Sequence, residues 1–372
     1  MIRVLNVISD TNIGGAGRVI LNYLRFAGRD RFETHVAVPR GSALTGPLNE
    51  AGARVWEVEG IADRSYHRED VKALRALIRE VDPELVHTHG CLSGRVAARR
   101  EGKLVVYSRH SAFPVPPKLK YPPGRWVNKF VNEHYADRII AVSPATRDNL
   151  TEGGISPKKI TVVMNGTAPV EELPPEAKRA LREELSIPAG AAVFGILARL
   201  EDYKGHLDLV EAARRLKEKG REDFRVLVAG TGPFQEEIRR AVEETGTDGA
   251  VRLLGFRSDV AALLNILDVQ LNCSYGTEAT SMALLEGMSL GLPTIASDYG
   301  GNPWVVEDGA SGLLFPRRDP AALAAAMERL MDSPREREEM GARARVIYQE
   351  KFTGQAFARG IEQVYLDLVK GV

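Results

Sequence analysis

A chain of 372 residues is too long for one ordinary core, and a composition of 44% hydrophobic and 27% charged residues is that of a globular protein, so two domains are expected. Lys+Arg and Asp+Glu are each 50, and the resulting net charge of zero argues against broad nucleic-acid binding, which needs surplus cations against phosphates. Two distant cysteines, Cys91 and Cys273, imply no disulfide framework and fit a reducing cytoplasm. No apolar run approaches the ~20 residues needed to span a bilayer, and the opening "MIRVLNVISD" reads as a strand rather than a leader. A cytoplasmic protein is expected, with peripheral contact at an inner membrane surface left open.

From the N-terminus, "RVLNVIS" (3–9), "THVAV" (34–38), "ELVHTH" (84–89), "KLVVYS" (103–108), "RIIAVS" (138–143) and "ITVVM" (160–164) read as strands with helical patterns between most of them. "NGTAPVEELPPEAKRA" (165–180), with Asn-Gly and three prolines, reads as a linker. Alternation then restarts with "AAVFGIL" (191–197), "FRVLVAG" (224–230), "AVRLLG" (250–255), "VQLNCS" (269–274), "PTIAS" (293–297) and "GLLF" (312–315), and helices close the chain from about Pro320. Such alternation predicts two doubly wound, Rossmann-like α/β domains with parallel sheets. Ligands of such sheets sit beyond the carboxyl ends of the strands, and the expected site is a cleft between the domains.

The residues after strands therefore matter most. After the first strand come Gly14-Gly15-Ala16-Gly17 and a helix, a turn that lets backbone amides approach phosphate or sugar, though it is not a G-x-G-x-x-G fingerprint. A tight turn without ligand is the plain alternative. His87 and His89 alternate along one strand face, and Cys91 shares their parity. A closed zinc site wants four ligands, and no partner cluster is visible. His110, after the next strand, is expected in the same cleft. "FPVPPKLKYPPGRWVNKFVNE" (113–133) mixes Lys118, Lys120, Arg125 and Lys129 with aromatics. Its basic loop could meet an anionic membrane or a lipid-linked substrate, while Trp126 and Phe130 are expected in the core.

In the second half, Arg199 and Lys204 share one loop after a strand, where two cations could clamp a diphosphate and stabilise charge on a leaving phosphate. Each alone reads equally as a solvated loop charge. Glu278 and Glu286 stand with seven residues between them in "SYGTEATSMALLEGM". Glu278 lies on the approach to a helix predicted from near Thr280 or Ser281, both plausible caps, to about Leu290. A helix start is suited to phosphate because its first N–H groups lack partners. Glu286 could accept hydrogen bonds from a ribose diol, or be a surface residue of an amphipathic helix. No D-x-D pair, P-loop or kinase set is present, and neither metal nor cofactor is expected.

"EATSMALLEGMSLGLPTIASDYGG" resembles the donor-site signature of glycosyltransferase family 4, retaining nucleotide-sugar-dependent enzymes of the GT-B fold. The resemblance runs through the Gly-Gly turn, "PELVHTH", His110, "IIAVS", "MNGT", "ARLEDYKG", "VAGTGP", "LLGFRSDV" and "EDGASGLLF". It implies an acceptor domain over 1–166, a nucleotide-sugar domain over 167–353, and a final helix, about 354–372, crossing back onto the first. It further implies that Arg199 and Lys204 bind the donor diphosphate, Glu278 the transferred sugar, Glu286 the ribose, and amides near Ser281 and Met282 the phosphates. Gly14, Gly15, Gly230, Phe256 and Thr280 join that donor set. His110, with Glu278, Arg199 and Lys204, forms the catalytic group. Arg18, His89, Arg109 and Lys118 are acceptor-side candidates, and Arg64 and His67 candidate acceptor partners. Many members carry Glu-x-Phe-Gly where this chain has Glu278-Ala279-Thr280-Ser281. The implied activity is metal-independent transfer of a sugar from a nucleoside-diphosphate sugar, UDP or GDP, to a glycan, lipid-linked or small-molecule hydroxyl in envelope-glycan synthesis. A nucleotide-sugar epimerase and a non-catalytic nucleotide-sugar or glycan binder are the rival readings.

Overall fold

Seven strands, all parallel, form the sheet of the first unit: β1 (Ile2–Ile8), β2 (Phe32–Pro39), β3 (Arg54–Val58), β4 (Leu85–His89), β5 (Leu104–Arg109), β6 (Arg138–Ala141) and β7 (Ile160–Val162). Their order is β3-β2-β1-β4-β5-β6-β7. The computed structural model describes residues 1–371 and divides into two units, the first taking residues 1–167 and the chain's end from Phe352, the second residues 168–351. Central β1 is apolar on both faces, as a parallel strand covered by helices must be. In its buried stretch, Val4–Ile8, the exception is Asn6. The strand β3 escapes the sequence reading because it is a sheet edge: Arg54 and Glu57 are exposed, so it lacks an unbroken apolar run.

The second unit holds a six-stranded parallel sheet: β8 (Ala192–Leu197), β9 (Phe224–Ala229), β10 (Val251–Gly255), β11 (Val269–Asn272), β12 (Thr294–Ser297) and β13 (Gly312–Phe315), in the order β10-β9-β8-β11-β12-β13. In each sheet the order reverses once, between β1 and β4 and between β8 and β11. Loops leaving the carboxyl ends of strands on either side of such a reversal part to opposite faces and leave a crevice.

The linker expected over 165–180 is shorter than that. A helix begins at Pro175 and runs to Glu184, with the fixed ring of Pro175 in the first turn, where its missing N–H costs nothing. A second correction concerns the helix Gly124–His134. None of its residues is buried, and Trp126 and Phe130 are 67% and 62% exposed rather than in the core. No helix among the described residues is long and apolar enough to cross a membrane.

The chain's last helix, Gly354–Lys370, packs within the first unit against the helix Gly15–Phe26. Gly354 makes this docking possible, because a side chain there would meet the Phe26 ring. Buried Glu362 accepts from the Gly28 amide at 2.6 Å and from Arg31 at 2.7 Å. Tyr365 shares a 2.6 Å hydrogen bond with Nδ1 of His87 beneath the sheet's centre. Replacing Tyr365→Phe leaves a buried ring nitrogen without its partner. We expect a loss of about 1–3 kcal/mol in denaturant unfolding; unchanged stability would show that this bond does not tie the helix down.

Candidate functional site

In the second unit the loops after β8 and β11 are locked together. Gly205 turns at φ 72°, a conformation open to glycine, and lies against the Cys273 backbone with no room for a side chain. The Tyr275 amide donates to the Tyr203 carbonyl at 2.8 Å. This registration delivers Lys204 to Glu278, 2.9 Å from Nζ to Oε2. Asn272 Nδ2 and Ser274 Oγ donate to the same oxygen at 3.0 and 3.1 Å. Glu278 is 7% exposed. Burial pushes its carboxyl up, but the Lys204 charge and the three hydrogen bonds outweigh burial and hold it below the ordinary carboxylate range.

The glycine pair that ends the signature has a mechanical part in this arrangement. Gly300 and Gly301 lie so close to the Glu278 and Ala279 carbonyls that side chains would not fit, and the Gly301 amide donates to the Glu278 carbonyl at 2.9 Å. Beyond Glu278 the helix Met282–Leu290 begins with Ser281 at its N-cap, but the Ser281 side chain makes no capping bond, contrary to its expected part. The Ser281 hydroxyl therefore meets none of that helix's first amides. Glu286, half-buried, lies one turn in.

Arg199 does not join this cluster. Its side chain is 74% exposed and pairs with Glu201 at 2.9 Å. Gly230, after β9, packs against the Ala198 carbonyl next to Arg199, again with no space for a side chain. Phe256 is exposed just past β10, Thr280 is buried and Met282 half-buried.

In the first unit the reversal between β1 and β4 is lined by neutral polar groups. His89 contacts Asn6 Oδ1 through Nε2 at 3.1 Å and His110 Nε2 through Nδ1 at 2.8 Å. His87 meets Ser108 Oγ at 2.8 Å and Tyr365. The His89–His110 contact holds one proton, since two N–H groups cannot meet head on. Burial drives His110 down to about 4 and His87 to about 3, and puts His89 well below its ordinary value; the Arg109 charge adds to the effect at His110, and the neighbouring rings add to it at His87 and His89. Nδ1 of His110 and Nδ2 of Asn6 are buried without a protein partner.

Cys91 does not share the histidines' face. Gly90 turns at φ 79°, and Cys91 Sγ then accepts the Gly94 amide at 3.4 Å as the cap of the helix Leu92–Arg100. His89, expected on the acceptor side, has both ring nitrogens occupied and stands behind His110. Gly14 caps the helix Gly15–Phe26 at an ordinary φ of −86°, and the place of a Gly15 side chain is open space. Arg18 and Lys118 are exposed, and Arg109 is half-buried with Nε donating to the Ser111 carbonyl at 3.0 Å. Arg64 is bound to both oxygens of buried Asp70, and His67 lies beside it.

Asn272 and Ser274, the supports of Glu278, and Asn6, Ser108 and Tyr365, the supports of the histidines, are absent from the sequence-based set. A signal existed for some. Asn6 is a polar residue inside an apolar central strand, and "LNCS" places two polar residues at a strand end.

Residues 177–346 match the family model described as Glycosyl transferases group 1, and residues 13–170 match the one described as Glycosyltransferase Family 4. A D-inositol 3-phosphate glycosyltransferase of Corynebacterium kroppenstedtii is 29% identical over 79% of this chain and 69% of its own length. A lipopolysaccharide core biosynthesis glycosyltransferase, LpsD of Rhizobium meliloti, is 26% identical over 95% of this chain and 94% of its own. Among solved structures, Anabaena HepE in complex with UDP superposes with a TM-score of 0.85 at 20% identity, covering 99% of this chain and all of that one. HepE is also solved with UDP-glucose. The two parallel-sheet units are those of the GT-B glycosyltransferase fold.

Two outcomes follow from this geometry. Lys204→Ala strips a buried carboxylate of its cation and should cost about 3 kcal/mol in chemical unfolding, with the Glu278 carboxyl rising; a neutral effect would mean the pair is not buried in solution. For the histidines, the fold holds neutral rings that the unfolded chain protonates below ~6.5. Their stabilisation is complete above that pH and is lost as pH falls toward about 4 for His110 and about 3 for His87. Thermal unfolding from pH 7.5 downward should show a decline setting in below ~6.5, smaller in His110→Gln, and a flat profile would contradict it.

Proposed function

This chain belongs to the group 1, family 4 glycosyltransferases, and from that premise we propose that it moves a sugar, with retention, from a nucleoside-diphosphate sugar to a hydroxyl of an envelope glycan or a lipid-linked precursor. The observation that carries the donor assignment is the Lys204–Glu278 pair in the crevice between β8 and β11, next to the start of the helix Met282–Leu290. The diphosphate belongs on Lys204, on Arg199 and on the first amides near Ser281 and Met282. Glu278 receives sugar hydroxyls and Glu286 the ribose. Thr280 and Gly230 line the approach, and exposed Phe256 offers the base a ring face. HepE takes UDP and UDP-glucose, which favours UDP among the bases. In the first unit Gly14, Gly15 and His110 are assigned to the sugar side, with Arg18, Arg109 and Lys118 as acceptor-side charges.

In the reaction the acceptor hydroxyl forms a bond to the anomeric carbon while the bond to the β-phosphate oxygen breaks. The hydroxyl's proton passes to the leaving nucleoside diphosphate. Arg199 and Lys204 neutralise the charge that builds on the leaving group. Glu278 is a sugar ligand, not a covalent nucleophile: its Oε2 is wrapped by three donors. With two cations on the diphosphate, no divalent ion is needed.

The test is nucleoside-diphosphate release from UDP- and GDP-sugars with a chelator present, over a panel of glycan and lipid-linked acceptors. Glu278→Ala should lower the rate by roughly a hundredfold or more, and proton NMR of the product should show the donor's anomeric configuration. Binding without release under every acceptor condition would leave a binding protein. An altered free nucleotide sugar with no acceptor would point to an epimerase instead.

A further inference from the structure

The helix Gly124–His134 is inside out. An amphipathic helix normally buries its apolar stripe, yet here Trp126, Val127 and Phe130, neighbours on one helical face, are all more than half exposed. Its polar face does the docking. Asn128 Nδ2 donates to the Gly153 carbonyl at 2.7 Å, and Asn132 Oδ1 accepts from the buried Arg95 guanidinium at 3.0 Å. Exposed Tyr121, whose carbonyl accepts the Arg125 amide at 2.9 Å, stands at the start of this helix, and five of the twelve large apolar side chains exposed among the described residues lie between 113 and 130. That is a cluster rather than ordinary scatter, and clusters of this kind mark contact surfaces.

Charge identifies the partner. Residues 113–134 carry Lys118, Lys120, Arg125 and Lys129 against one acid, Glu133, in a chain of zero net charge. Lys120 is paired with Glu152 and Lys129 with Glu133, while Lys118 and Arg125 are exposed. The short turn Pro117–Lys120 lies against Gly124, where a side chain would strike the Lys118 carbonyl, so the Lys118 backbone sits at the start of the aromatic helix. Exposed aromatics bordered by cations are the makeup of a helix that lies in the headgroup layer of an anionic membrane. A second copy of the chain fits less well, because a two-fold contact would set these cations against themselves.

We propose that the face carrying Tyr121, Trp126, Val127 and Phe130 docks the protein on an anionic bilayer, the aromatics entering the headgroup layer and Lys118 and Arg125 meeting lipid phosphates. The experiment is flotation of the purified full chain with phosphatidylcholine vesicles, with and without about a third phosphatidylglycerol. The parent should bind the anionic vesicles at least about tenfold better, and less in high salt. Trp126→Ser/Phe130→Ser should lose about tenfold or more with an unchanged melting temperature, and Lys118→Glu/Arg125→Glu should lose the anionic preference. The proposal is overturned if the parent binds neither vesicle or if the aromatic double variant binds as well as the parent. A concentration-dependent dimer abolished by that variant would assign the face to a second copy instead. Nucleotide binding is read separately, so failure here leaves the donor assignment standing.

Discussion

Glu278 keeps one carboxylate oxygen beneath three donors in a place almost closed to water. An isolated carboxylate there would be expensive, and Lys204 is the charge that makes it tolerable. Much of the nearby backbone serves this pairing. Gly205 lets the Lys204 loop settle on the end of β11, and Gly300 and Gly301 let the following turn close over the Glu278 carbonyl. A pair held this way can still change hands. In the proposed donor complex a diphosphate would offer Lys204 a second anion, and Asn272 and Ser274 would remain to hold the carboxylate while its other oxygen met sugar hydroxyls.

The same topology yields chemically opposite crevices in the two units. Both sheets reverse order once, and polar groups collect at both reversals. In the second unit they are charged and opposed. In the first they are imidazoles that burial keeps uncharged. A neutral crevice suits recognition of hydroxyls, which both donate and accept, and one that holds a lysine suits phosphate. This division matches a reading in which one unit handles sugar and acceptor and the other a nucleotide.

Much of the architecture was legible from alternation alone, because parallel strands buried on both faces leave unbroken apolar runs. The strand β3 was not, since an edge strand with Arg54 and Glu57 carries no such run. Cys91 misled for a local reason: parity along a strand holds only as far as the strand, and Gly90 ends it. Trp126 and Phe130 misled because aromatic residues at helical spacing usually mean core, and nothing in the sequence says which face Asn128 and Asn132 will anchor. Of the site, Lys204 and Glu278 were legible from their motif, but Asn272 and Ser274 were not singled out, because a carboxylate's supports are set by which loops the sheet order brings together.

The account's central claim is that Lys204 and Arg199 hold a nucleoside diphosphate. Its most direct test is calorimetric titration of the parent with UDP, GDP and ADP without added metal, repeated on Arg199→Ala and Lys204→Ala. Binding of one nucleotide, weakened about tenfold or more by each substitution, is the predicted result. A folded protein that binds none of the three, or binds equally after both substitutions, would contradict it.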